Sequence, residues 1–139
     1  MFKPTVEKSE ITRVYINEII SGCNSQKDYT IVYGYNIKQG IFANKISLFI
    51  IGFNEKTLEV IIVPITPEGQ IIKTVVLNKK NINSVKLNYS SQATIKSELG
   101  TYSLVVPPYT PTTLESSGVL PIVQEQEAEA FRSFMNLLK

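Results

Sequence analysis

Histidine and tryptophan are absent from the 139 residues, and cysteine and aspartate occur once each. Each absence removes a class of chemistry. Without histidine the chain lacks the commonest general base near neutral pH and the commonest metal ligand. Cys23 has no imidazole to activate it and no second thiol for a disulfide or a zinc-binding pair. It reads as a helix-end or core residue. No glycine-rich phosphate loop is present. The carboxylates Asp28, Glu55, Glu59, Glu68 and Glu98 are scattered over turns and alternating strand faces, as solvated surface groups are. We therefore expect no catalytic residue, no metal, no cofactor and no enzymatic activity. Two carboxylates, or a carboxylate and a lysine, converging in a deep pocket would reverse that expectation.

An excess of charge of one sign is also missing. Fourteen basic and twelve acidic residues leave +2, and Lys38, Lys45, Lys56, Lys73, Lys79, Lys80, Lys86 and Lys96 are scattered along the chain rather than convergent. Nucleic acid is not an expected partner, because phosphate recognition rests on clustered positive charge. Long apolar runs are lacking as well. The longest, 46–53, falls far short of the roughly 20 residues needed to span a bilayer, and the first residues carry no apolar core of a secretion signal. The expectation is a cytoplasmic chain without a transmembrane segment. A lone cysteine is compatible with a reducing compartment. The abundance of isoleucine, lysine and asparagine resembles the usage of low-GC bacteria or their phages.

What is present is a hydrophobic content of 43% against 19% charged residues, the balance of a chain that packs a core. Its length suits one domain over 1–139. A first helix is expected within 1–22, near 7–21, with Ile11, Val14, Tyr15 and Ile19 on one face, Thr5 or Ser9 as cap and Gly22 as stop. A strand at 11–16 is the competing reading. The period then changes to two. Tyr29, Ile31, Tyr33, Tyr35 and Ile37 share one face of a strand. Further strands are expected at 46–53, 58–65, 70–77, 84–89, 93–99 and 101–106, separated by polar turns. Pro64 falls near a strand end, and Val85, Leu87, Tyr89, Ile95, Tyr102, Leu104 and Val106 point inward. Residues 107–120 form a proline-rich loop. A closing helix spans 121–139, with Pro121 at its start and Ala128, Phe131, Phe134, Met135 and Leu138 on its apolar face.

The fold class that follows is mostly β (α+β). Seven antiparallel strands over 29–106 form a meander, bent or rolled into a small barrel. The C-terminal helix plugs its open end, and an N-terminal helix is added. The strands at 46–53 and 58–65 are apolar on both faces. Ile46, Leu48 and Ile50 oppose Phe49, Ile51 and Phe53; Leu58, Val60 and Ile62 oppose Ile61, Val63 and Ile65. A half-solvated antiparallel sheet alternates, so something must cover the second face. The N-terminal helix is the first expected cover, and a second subunit is another.

In this order of elements the chain resembles the pleckstrin-homology (PH)-like superfamily, in particular its bacterial PH-like and GRAM-type branch. The resemblance covers roughly 29–138. It rests on seven strands followed by an amphipathic helix, on the segment 72–86 with its strand, polar turn and Ile82-x-x-Val85, and on Phe131 in the closing helix. It implies a non-catalytic binding or scaffolding module that makes protein–protein or oligomeric contacts. No arginine follows Lys38 or Lys45, so the basic signature for phosphoinositides is absent, and those lipids are not an expected ligand.

The candidate contact surface is the first hairpin loop, 39–44, with Phe42 at its tip and Lys38 and Lys45 on its flanks. An exposed aromatic between two lysines suits a protein groove or an anionic surface; the competing reading tucks Phe42 into the barrel mouth. Tyr33, Tyr35, Tyr89 and Tyr102 could instead line a ligand groove, although sheet and core packing is the better explanation, since aromatics favour strands. The Pro108–Pro111 spacing resembles a polyproline ligand or a plain exposed loop. A structural subunit of a bacterial or phage assembly, using edge strands and the proline-rich loop, is the alternative function.

Overall fold

The computed structural model describes residues 3–24, 28–38, 40–88 and 92–139. Helix α1 spans Val6–Cys23 and opens on Thr5, whose hydroxyl accepts from the Lys8 amide. It runs through Gly22 rather than stopping there, because at the helix C-terminus the Asn24 amide still closes a bond to the Ile20 carbonyl. Seven strands follow: β1 (Thr30–Lys38), β2 (Lys45–Asn54), β3 (Glu59–Ile65), β4 (Val75–Leu77), β5 (Ile82–Leu87), β6 (Gln92–Ser97) and β7 (Gly100–Val105). A short 3-10 helix (Thr112–Ser117) and helix α2 (Glu125–Leu138) complete the chain.

All strand pairs are antiparallel, and the sheet order is β4-β3-β2-β1-β7-β6-β5. It is therefore not one continuous meander. Two meanders, β1–β4 and β5–β7, are joined where β1 meets β7 at Tyr35 and Val105. Gly34 permits that junction: a side chain there would meet the Val105 carbonyl oxygen at 3.0 Å. Neither end of the sheet pairs with the other among the described residues, so β4 and β5 are free edges, and of the two expected forms, bent sheet or small barrel, the sheet takes the open one.

The curl shows in the core. Val32, Ile51, Phe53, Val60, Ile62 and Leu77 of the first meander share one cluster with Val85, Ala93, Ile95, Tyr102 and Leu104 of the second. Helix α2 seals this inner face with Phe131, Phe134, Met135 and Leu138. Phe53 lies against both of its rings, at centroid distances of 5.8 Å to Phe131 and 4.9 Å to Phe134. The sealing face is the expected one. Its start is not, since the helix begins at Glu125, four residues beyond Pro121, with Gln124 as its N-cap residue.

The outer faces of β1, β2 and β3 form a second cluster: Tyr33, Tyr35, Leu48, Ile50, Ile61, Val63 and Ile65. Helix α1 covers it, as the two-sided strands required, with a stripe that matches the expected one only in part: Tyr15 and Ile19 are half-buried against the cluster. Ser9, Thr12, Ile16 and Ile20 are buried, whereas Ile11 and Val14 are 72% and 56% exposed. The physical reason is close approach. Ser9 accepts from the Val123 amide at 2.9 Å, and Thr12 donates back to the Lys8 carbonyl at 3.3 Å, so small hydroxyl residues sit where the helix nears the C-terminal chain. Tyr15 flanks the contact and donates to the Gly69 carbonyl at 3.1 Å.

Other boundaries shift for local reasons. Residues 70–74 are not a strand; only an isolated bridge between Ile65 and Ile71 precedes β4. The Asn54 side chain caps the β2–β3 turn by accepting from the Lys56 and Thr57 amides. Pro64 falls near the end of β3 as expected, as its next-to-last residue, opposite Phe49. The inward expectation for Tyr89 lies outside the described residues.

Candidate functional site

The tip of the β1–β2 hairpin is the most conspicuous exposed feature. Phe42 is 100% exposed and Ile41 94%. Phe42 thus points into solvent and does not tuck into the sheet. Lys38 and Lys45 are also exposed, and they face one another as the last register pair of the hairpin. Like charges directly opposite on a strand pair repel, so the base of this loop holds two ammonium groups that an anionic partner would relieve. Gln39 lies outside the described residues. Ile41 escaped the sequence reading, although it adjoins Phe42 in a loop with no periodicity to bury either.

On the outer face of the sheet, an apolar groove of about 360 Å³ opens between α1 and the β3–β4 turn. Its floor is Leu48, Ile65 and Leu120, and Ile11 and Tyr15 form one wall. A second hollow of about 470 Å³ shares Ile11, Thr12, Pro67, Gly118 and Leu120, so the two are one continuous groove. Its charged residues are Glu68, Glu115 and Lys8. The Glu115 Oε2 lies 3.8 Å from Lys8 Nζ, while Oε1 is buried and has no hydrogen-bond partner among the described residues. Sequence reasoning missed this groove entirely, because its walls come from three segments far apart in the chain.

The remaining candidates resolve into structure. Tyr33 and Tyr35 are buried in the outer cluster and Tyr102 in the inner one, so they do not line a common groove. Tyr89 again lies outside the described residues. Burial pushes the Tyr33 hydroxyl up to about 12 from its ordinary 10.0. Tyr29 is raised to about 12 as well, first by burial and then by its hydrogen bond to Glu59. Cys23 is half-buried, with its sulfur 3.6 Å from the Thr74 hydroxyl.

The proline-rich segment is not a plain exposed loop. Tyr109 bridges to Val123, and Thr110 is 1% exposed, donating to Leu120 O and accepting from Ile122 N. Gln124 anchors the segment from within. Its side-chain amide accepts from Tyr33 N at 2.9 Å and donates to Tyr33 O at 2.8 Å and Pro107 O at 2.9 Å. One glutamine thus satisfies a stretch of β1 backbone as a paired strand would. Arg13 ties α1 to the same region by donating to the Glu127 carboxylate and the Val123 carbonyl.

Among the described residues, no three His, Cys, Asp or Glu side chains lie together as a metal site would require. No described helix is long and apolar enough to cross a membrane. No protein-family model matches the chain, and comparison with curated proteins finds no significant match.

Proposed function

We propose that the chain is a non-catalytic, PH-like binding or scaffolding module whose contact surface is the β1–β2 tip, and that its partners are proteins, copies of itself included. The observation that carries this reading is the complete exposure of Phe42 beside an almost completely exposed Ile41, framed by two lysines. Isolated exposed apolar residues are ordinary. Two adjacent large ones at a projecting tip are the kind of anchor that fills a partner's pocket. The two-meander sheet with a helix sealing its inner face supports the PH-like assignment.

The chemistry argues in the same direction. The groove's carboxylate–lysine pair, Glu115 with Lys8 at 3.8 Å, lies at the surface with the lysine side chain 58% exposed, which is not the deep-pocket convergence that catalysis would require. Phe42→Ser tests the reading. Wild-type and variant chains are immobilised and used to capture proteins from a lysate of the native cells. The expected result is reduced capture with an unchanged melting temperature. Equal capture by both chains rejects the tip as the contact surface, and a lowered melting temperature would assign Phe42 to the fold.

A further inference from the structure

We infer that the occupant of the outer-face groove is the hairpin tip of a second copy of this chain, and that two copies exchange tips reciprocally about a two-fold axis. This rests on the binding-module reading above and names one partner for it.

Chemical complementarity is the first argument. The segment 38–45 reads Lys-Gln-Gly-Ile-Phe-Ala-Asn-Lys, with two positive charges and no negative one. The groove has an apolar floor and the charges of Glu68, Glu115 and Lys8, one net negative, with a buried Glu115 oxygen lacking a donor. A tip with two apolar side chains and two ammonium groups matches that surface in both respects. The groove's two hollows, of about 360 and 470 Å³, are each within the range of pockets that hold ligands several side-chain groups in size.

Continuity is the second argument. Ile37 and Ile46 are a register pair on the same sheet face as Leu48; Ile37 is 40% exposed and Ile46 half-buried. They lie between the groove and the tip, so an apolar strip runs from Leu48 through Ile46 and Ile37 to the loop. A strip with a knob at one end and a hole at the other complements itself when turned by 180° about its middle, which is the requirement of a closed two-fold dimer.

Area decides between one contact and two. A phenylalanine contributes about 150–250 Å², so a single tip with its isoleucine hides on the order of 300 Å² and the groove a similar amount. One contact therefore totals about 600 Å², below the roughly 1,200 Å² at which specific interfaces begin, whereas two reciprocal contacts reach it.

The test is the mass in solution by light scattering and sedimentation, from micromolar to millimolar chain. Wild type should reach the mass of two chains and go no higher. Ile41→Asp with Phe42→Asp, and separately Ile11→Glu in the groove wall, should remain single chains, with melting unchanged from wild type at dilutions where wild type is also monomeric. A chain with Lys38→Glu and Lys45→Glu should be monomeric alone, as should one with Glu68→Lys and Glu115→Lys. Mixed, these two should form a one-to-one dimer, since each tip then meets a groove of opposite charge.

A wild type that stays monomeric at 1 mM overturns the proposal. So does a dimer that survives the double aspartate change, or a mass that keeps rising past two. Wild type that is monomeric in solution but co-sediments with vesicles of anionic phospholipid would assign the tip to a membrane instead. A monomeric wild type whose lysate capture is still lost in Phe42→Ser sinks the self-pairing alone and leaves the binding-module reading standing.

Discussion

Gln124 is the N-cap residue of α2, yet its side chain makes no capping bond and turns inward to the backbone of Tyr33. The side chain is fully buried, so its three hydrogen bonds have no water to replace them. Gln124→Leu keeps the volume and leaves the Tyr33 amide and carbonyl without partners. We expect a loss of about 2–4 kcal/mol in denaturant unfolding, since each stranded buried group costs about 1–3 kcal/mol. Tyr33 adds a pH signature. Its folded-state proton is held to about 12, whereas an unfolded tyrosine releases it near 10.0. Its stabilisation is therefore complete below pH 10 and drains away as pH rises towards 12, a change of about 2–3 kcal/mol. Urea midpoints measured from pH 9 to 12 should fall more steeply for wild type than for Tyr33→Phe.

The candidate contact residues divide at this scale by what a single position can reveal. The exposure of Lys38, Phe42 and Lys45 was legible because a short loop between two strands has no core face to offer them. The groove was not legible. Leu48 and Ile65 read as ordinary strand residues and Leu120 as part of a loop, and only the path of α1 and the 3-10 segment leaves a hollow beside them.

Among the elements, α1 shows how weakly a period constrains a helix with apolar residues on several sides. Ile11, Val14, Tyr15 and Ile19 satisfy the helical spacing, but so do Ile16 and Ile20. The sheet buries the latter fully and takes Tyr15 and Ile19 at the margin, leaving out Ile11 and Val14, because Ser9 and Thr12 continue the stripe of Ile16 and Ile20 and admit the C-terminal chain. The assignment predicts unequal costs. Ile20→Ala should destabilise by about 2–5 kcal/mol, whereas Ile11→Ala should stay within about 0.5 kcal/mol, both read from chemical denaturation. Deleting 1–22 would expose the outer faces of β1–β3, and the shortened chain should aggregate or associate on size-exclusion chromatography. A deletion that stays soluble, monomeric and equally stable would show that α1 is not a needed cover.

The two sheet edges carry little for an assembly built by strand addition. β4 has three residues, and β5 has a register irregularity between Ile82 and Ser84. Short and bulged edges resist pairing with other chains. The proline-rich segment, tied down by Thr110 and Gln124, presents less free surface than its composition suggested.

For the whole molecule, the inner cluster mixes side chains of both meanders with those of α2. Removing the seal should therefore loosen both halves together. Phe134→Ala is expected to cost about 3–5 kcal/mol. Far-ultraviolet circular dichroism and tyrosine fluorescence should report coincident unfolding transitions in wild type and variant alike. Separate transitions for the two probes would mean that the meanders fold independently.

The amino-acid sequence determined by itself the number of strands, the two-sided burial of β2 and β3, and the sealing stripe of α2. Those are properties of period and local polarity, which a side chain expresses wherever its strand or helix is placed. Only the tertiary structure decided that β1 joins β7, that the sheet stays open between β4 and β5, which stripe of α1 is buried, and where a groove is left. Each of these depends on contacts between residues distant along the chain, where close approach at Gly34, Ser9 and Gln124 selects one packing from several that the local pattern permits equally.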